Sequence, residues 1–333
     1  MSRWRKMLRH DPVTPLMSAD DPALTYHVRR ELLGEDVEPA RTLWTPPEVT
    51  KLLRRQDDNG SFRYPGRQPP VYPAHHYALL ETWKQFRVLV EQYAFTREHP
   101  AGRQAAEFLL SCQTPAGDIR GMIANQYATY YTGAILGLLI KAGYGTDPRV
   151  ERGLRWLLDM RQDDGGWTIP LLTHKLNRAE MYRLTSEYAE PLEPDRGKPF
   201  SHNWTGMVLR GFAAHSRHRR SRPVRAAAEL LKTRFFQPDV YGSYRAADYW
   251  VRFQYPFWWN HLVAALDSLS LIGVPANDPD IQRGLRWLIE RQQRDGLWKL
   301  SYAKRGGASP TRARSMQLWV TLAICRIFRR YNE

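Results

Sequence analysis

Asp147-Pro148-Arg149-Val150-Glu151-Arg152-Gly153-Leu154-Arg155-Trp156-Leu157-Leu158-Asp159-Met160-Arg161-Gln162-Asp163-Asp164-Gly165-Gly166-Trp167 is written almost a second time from Asp278 to Trp298. The second copy opens on Asp-Pro, passes through Gly284-Leu285-Arg286-Trp287-Leu288 and ends Asp295-Gly296-Leu297-Trp298, each position 131 residues after its counterpart. Segments held in step in this way are one structural unit used more than once. Asp before Pro is a helix start: a capping carboxylate, then a proline whose missing N–H costs nothing in the first turn. Val150, Leu154, Leu157 and Leu158 then lie on one helical face, and Ile281, Leu285, Leu288 and Ile289 copy it. Each helix breaks at Asp-Gly or Gly-Gly, and the turn delivers an indole, Trp167 or Trp298.

Working outward, the frame Gln-x-x-x-Gly-x-aromatic is complete at Gln56…Gly60…Phe62 and Gln292…Gly296…Trp298. Gln113…Gly117…Ile119 loses the ring, and Arg161…Gly165…Trp167 carries Arg in place of Gln. A degenerate copy ends at Gly242-Ser243-Tyr244. The widest gap between successive copies, Gly165 to Gly242, holds a Pro- and charge-rich run at about 171–199, which reads as an insertion.

Between these units lie apolar, inner-type helices. They are expected at Tyr77 to Tyr93, Thr129 to Lys141, Thr205 to His215, Pro256 to Ile272 and Met316 to Arg330. Amphipathic helices at Glu48 to Arg55, Arg103 to Ser111 and Val224 to Phe236 alternate with them, and Ala23 to Leu33 is a short helix. No apolar strands recur at matching spacing. The fold class is therefore all-α, about six helical hairpins in an open solenoid or a closed α/α barrel. Length alone suggests about two domains. The repeats favour one domain over 23–333, preceded by a basic arm at 1–22.

Net charge is +15, from 49 Lys and Arg against 34 Asp and Glu. The positive residues are scattered rather than striped, so no specific nucleic acid is expected. The one dense run, His215-Ser216-Arg217-His218-Arg219-Arg220-Ser221-Arg222, reads first as a solvated loop and second as a polyanion contact. Cys112 and Cys325 form no C-x-x-C pair, which argues against a disulfide framework and for a reducing, cytoplasmic setting. No apolar run is long enough for a spanning helix. Trp4, Met7 and Leu8 among Arg3, Arg5, Lys6 and Arg9 offer contact with an anionic membrane surface; a solvated arm is the first reading.

The Gln-x-x-x-Gly-x-Trp turns resemble the repeats of squalene-hopene and oxidosqualene cyclases. The hairpin alternation is similar to the α/α toroid those enzymes share with protein prenyltransferase β subunits, and it covers roughly Glu48 to Asn332. The resemblance implies inner helices that start at one rim of a central cavity, with the Gln and Trp of each turn bracing neighbouring outer helices. It implies an isoprenoid or other lipid as ligand.

The family's catalytic signatures are matched only in part. Class II cyclases carry Asp-x-Asp-Asp-Thr-Ala at an inner-helix start, and the middle Asp protonates the substrate. The corresponding stretch is Ser201-His202-Asn203-Trp204-Thr205-Gly206, with Asn203 at the acid's position; Ala128-Thr129-Tyr130-Tyr131-Thr132-Gly133 also lacks a carboxylate. Arg252 and Gln254 stand where prenyltransferases place zinc ligands, so no metal and no cofactor is expected.

The residues at inner-helix starts are the ligand-binding candidates: His75, His76, Tyr130, Tyr131, Asn203, Trp204, Trp258, Trp259, Gln317 and Trp319. Their rings can hold a polyene and stabilise a carbocation, or simply fill a core. Asp248, Glu81, His202 and His261 are the weak candidates for acid–base work. Lys304, Arg312 and Arg314, with Gly306-Gly307 nearby, are candidates for a diphosphate. Two other readings stay open: a non-catalytic binding or scaffolding toroid, and a saccharide-acting α/α barrel, which requires a carboxylate pair about 5–9.5 Å apart.

Overall fold

In a computed structural model, Asp147 and Asp278 cap their helices as the doubled stretch requires. Asp147 Oδ1 accepts from the Arg149 N–H at 2.8 Å. Asp278 Oδ1 accepts from Asp280 and Ile281 at 3.0 and 3.2 Å. The structure describes residues 2–68, 72–186, 189–241, 247–300 and 309–332. The degenerate turn at Gly242-Ser243-Tyr244 and Lys304, Arg305, Gly306 and Gly307 lie outside them.

In chain order the helices are α1 (Val13–Met17), α2 (Pro22–Val28), α3 (Pro47–Leu53), α4 (His76–Glu91), α5 (Pro100–Ser111), α6 (Thr129–Leu139), α7 (Pro148–Asp159), α8 (Arg178–Leu184), α9 (His202–Ala214), α10 (Arg222–Thr233), α11 (Leu262–Ile272), α12 (Pro279–Glu290) and α13 (Pro310–Asn332). The fold is all-α as expected; among the described residues the one strand is β1 (Met122–Asn125), four residues long and not foreseen. The expected helix at Pro256 to Ile272 begins only at Leu262, because the buried His261 ring caps it by accepting from the Ala264 N–H. The chain divides into two compact units, residues 40–227 and residues 1–39 with 228–333.

Within residues 40–227 the turn glutamines act as braces. Gln56 donates to Gly60 O at 3.0 Å, closing its own turn, and to Ala101 O at 2.9 Å in the first turn of α5. Gln113 repeats this on Gly117 O and Arg149 O, the latter in the first turn of α7. The third turn differs from the sequence reading. Among the described residues Arg161 bonds the preceding Leu158 carbonyl, and the adjacent Gln162 reaches Asp195 O and Lys198 O instead. The insertion thus supplies the partner that an outer helix supplies elsewhere. A further anchor is buried Gln126, which donates to Leu184 O and Glu190 O and accepts from the Leu192 N–H.

In the other unit the last turn is braced by the chain's own beginning. Gln292 donates to His10 O at 2.9 Å, and its Oε1 accepts from the Arg9 and His10 N–H groups. Residues 1–22 are therefore not a solvated arm. Trp4 and Leu16 are fully buried, and Arg5 pairs with Asp11 at 2.7 Å. The basic charge that suggested an arm sits on the outer side of two buried apolar anchors. No helix among the described residues is long and apolar enough to cross a membrane.

Candidate functional site

Three inner helices of residues 40–227, α4, α6 and α9, are tied to the turns that precede them by one device. A buried threonine on each helix accepts from the backbone N–H at the turn's ring position: Phe62 to Thr82 at 2.7 Å, Ile119 to Thr132 at 3.1 Å, and Trp167 to Thr205 at 2.8 Å. Thr132 and Thr205 are the threonines of the two Thr-Gly stretches compared above with the cyclase motif. Helices α6 and α9 meet at their glycines. A Cβ on Gly133 would stand 2.6 Å from the Val208 Cα, and one on Gly211 would stand 2.7 Å from Gly133 O. Only glycine permits this approach.

That approach brings aromatic rings together. Tyr130 lies 4.4 Å from Trp204 and 4.3 Å from Tyr131, centroid to centroid. Tyr131 meets Trp83 edge-on at 4.9 Å. The Arg87 guanidinium rests over the Trp83 ring at 4.9 Å, and burial pulls its pKa down to about 10. Cation–π contact of this kind is worth about 0.5–2 kcal/mol. Trp83, Tyr131, His202, Asn203 and Trp204 are buried, and Tyr130 is half-buried. Trp83 and Arg87 were not singled out from the sequence, although an arginine inside the apolar run of α4 is the signal that marks them.

The other candidates in this unit have structural partners. His75 Nε2 bonds Arg120 O at 3.2 Å, and His76 Nδ1 bonds Gly121 O at 2.6 Å, so the pair fastens the start of α4 to the second turn. Burial lowers the pKa of His76. Glu81 is 1% exposed, and its carboxylate accepts from Arg55 at 2.9 Å, Lys84 at 3.0 Å and Gln85. It serves as a buried ionic anchor between α4 and the first turn.

In the unit of residues 1–39 and 228–333, His261 is the cap of α11, and its Nε2 bonds Gln254 O at 3.3 Å. Trp319 is buried, donates to Asp21 at 3.0 Å and stacks on Tyr255 with centroids 5.6 Å apart. Trp258 and Trp259 are half-buried. Gln317 bonds Gln293 and Arg314. Arg312 and Arg314 are exposed, and Arg314 also faces Asp295 at 3.7 Å. Asp248 is exposed and bonded to Arg252.

Two curated proteins are similar to parts of this chain. A squalene-hopene cyclase from Bradyrhizobium diazoefficiens is 28% identical over 191 residues, which is 54% of this chain and 26% of that protein. A squalene-hopene cyclase from Schizosaccharomyces japonicus is 39% identical over 57 residues, 17% of this chain and 8% of that protein. The chain is thus similar over part of its length to squalene-hopene cyclases. The chain matches about a quarter or less of the length of these curated relatives. No family model matches it. Among solved structures, a protein from Actinoplanes aligns over 88% of both chains at 19% identity and a TM-score of 0.45. A type II terpene cyclase from Scytonema, bound to geranylgeranyl dihydroxybenzoate, aligns over 85% of this chain and 95% of its own at 12% identity and a TM-score of 0.36.

Proposed function

We propose that the chain binds an isoprenoid or a similarly apolar ligand against the rings of Trp83, Tyr131, Tyr130 and Trp204. The observation that carries this reading is the grouping of three rings from the first turns of α6 and α9 with Trp83 from the middle of α4, and Arg87 over the Trp83 ring. Rings at this spacing offer apolar surface and electron-rich faces to a polyene or to a cation derived from it. The relatives named squalene-hopene cyclase support the choice of an isoprenoid over a sugar.

Binding without cyclisation is the reading favoured within this proposal. Asn203 occupies the acid's position, and a neutral amide does not protonate an alkene. Glu81 and Asp248 are each engaged by cationic side chains. Turnover would require an acid outside this set.

The test is incubation of the purified chain with farnesyl diphosphate, geranylgeranyl diphosphate and squalene, followed by mass spectrometry of products and of lipid retained after desalting. Retained isoprenoid that falls on Trp204→Ala or Tyr130→Ala, without new products, is the expected result. Cyclised products would restore catalysis by an unconventional acid. Neither product nor retained lipid would remove the proposal.

A further inference from the structure

The sequence reading left the basic run after α9 as a solvated loop, but two of its histidines turn inward. His215 is 9% exposed, and His218 bonds Glu151 of α7 through Nε2, at 2.9 and 3.1 Å to the two carboxylate oxygens. Glu151, His215 and His218 each place one ligand-type atom within 4.8 Å of the others. All three belong to the unit of residues 40–227.

The tautomers suit a cation. His215 Nε2 donates to Gly145 O at 3.1 Å, which leaves Nδ1 as a lone pair. That lone pair accepts only long contacts, 3.3 Å each, from the Arg217 and His218 N–H groups. A histidine whose second nitrogen is fixed on a backbone carbonyl is the usual posture of a metal ligand. Burial works against the charge on Glu151, yet His218, Arg217 and His215 outweigh it and hold the carboxyl below its ordinary range. Burial and the neighbouring His218 lower the pKa of His215, which favours its uncharged ring.

We propose that Glu151, His215 and His218 form a binding site for a divalent transition-metal ion, zinc by its donor set. Two imidazoles and one carboxylate are borderline ligands that suit zinc and leave a fourth position for water. Arg217 reaches Glu151 at 2.9 Å from a side chain 72% exposed, and it is the cation that zinc displaces. Zinc on His218 Nε2 leaves the ring's single proton on Nδ1, and because the ligands must be neutral imidazoles and a charged carboxylate, binding weakens as pH falls. The site ties the loop after α9 to the first turn of α7. It is separate from the aromatic group, because α9 rises about 1.5 Å per residue and puts His215 roughly 17 Å from Trp204 along the helix.

The experiment is titration of the chelator-treated chain with zinc by calorimetry in buffers of different ionisation enthalpy, with cobalt absorption as a second readout. One zinc per chain and a raised melting temperature are expected. Glu151→Gln and His218→Ala should each weaken zinc by at least about tenfold, while His174→Ala on the insertion should not. Arg217→Ala should bind more tightly. Circular dichroism of the metal-free variants separates lost binding from lost folding. Failure of the wild-type chain to take up stoichiometric zinc, or equal uptake by Glu151→Gln and His218→Ala, overturns the site.

Discussion

The Trp167 N–H donates to Thr205 Oγ1 at 2.8 Å, and the same hydroxyl donates back to Trp167 O at 3.0 Å. One side chain thus satisfies both backbone groups of the residue that ends the third turn, and Trp167 Nε1 closes the arrangement on Leu157 O at 2.6 Å. Thr205→Val keeps the shape and removes both bonds, leaving a buried N–H without its acceptor. The expected cost is about 1–3 kcal/mol, read as a lower urea midpoint with an unchanged slope. Thr205→Ser should recover most of it. A neutral Thr205→Val would show that the hydroxyl does not join turn to helix.

The second prediction concerns the chain's beginning. Gly296 has φ +83°, and a Cβ there would lie 2.1 Å from the Asp11 carbonyl oxygen. Gly296→Ala therefore meets both a left-handed backbone and a backbone clash, and a cost of roughly 1–3 kcal/mol or more is expected. Its effect should be local first: faster hydrogen exchange and faster proteolysis across residues 9–17. Gln292→Ala, which removes the side chain bonded to both Arg9 and His10, should do the same with a smaller loss of stability.

What the sequence made legible follows from the range of each interaction. The caps at Asp147 and Asp278 and the turns at Gly60, Gly117, Gly165 and Gly296 are written in neighbouring residues, and they decide the all-α class. The docking of Gln292 on His10 spans 282 positions, and Glu151 meets His218 across 67. Neither has a local signature. Thr132 and Thr205 were visible, but a resemblance drew them into a catalytic frame when their hydroxyls hold backbone. The grouping of Tyr130, Tyr131 and Trp204 was legible as three residues at helix starts. Their contact was not, because it depends on Gly133 and Gly211 letting α6 and α9 touch.

Acid should weaken the unit that holds Glu31. Burial raises its pKa, but Arg326 and His27 outweigh burial and hold the carboxyl far below its ordinary 4.5. His27 Nδ1 lies 2.9 Å from Glu31, and Arg326 also bonds it. A carboxyl held lower in the fold than in the unfolded chain stabilises the fold fully above the unfolded value. That contribution fades as pH falls below 4.5 toward the folded value. Glu31→Gln should be less stable than wild type at neutral pH, and the gap should narrow through this window. Melting temperatures of both proteins from neutral to acid pH decide it; parallel curves would mean that Glu31 does not carry this part of the acid sensitivity.

Asn203 offers the most direct test of what separates this chain from a proton-initiated cyclase. It is 1% exposed, one residue before Trp204 in the first turn of α9. Asn203→Asp places a carboxyl there with almost no change in volume. Burial in such a setting raises a carboxyl's pKa, which keeps the proton on it near neutral pH and makes it a competent acid. The variant should lose roughly 1–3 kcal/mol of stability and should recover part of that loss as pH falls, since the neutral form is the one the site accepts. If a polyene lies against Tyr130 and Trp204, the variant should also convert squalene or a geranylgeranyl substrate to cyclised product above the wild-type level. A stable, folded Asn203→Asp protein that retains isoprenoid and yields no product would place the bound chain out of reach of α9's first turn. A variant that neither retains lipid nor reacts would count against the aromatic group as the binding surface.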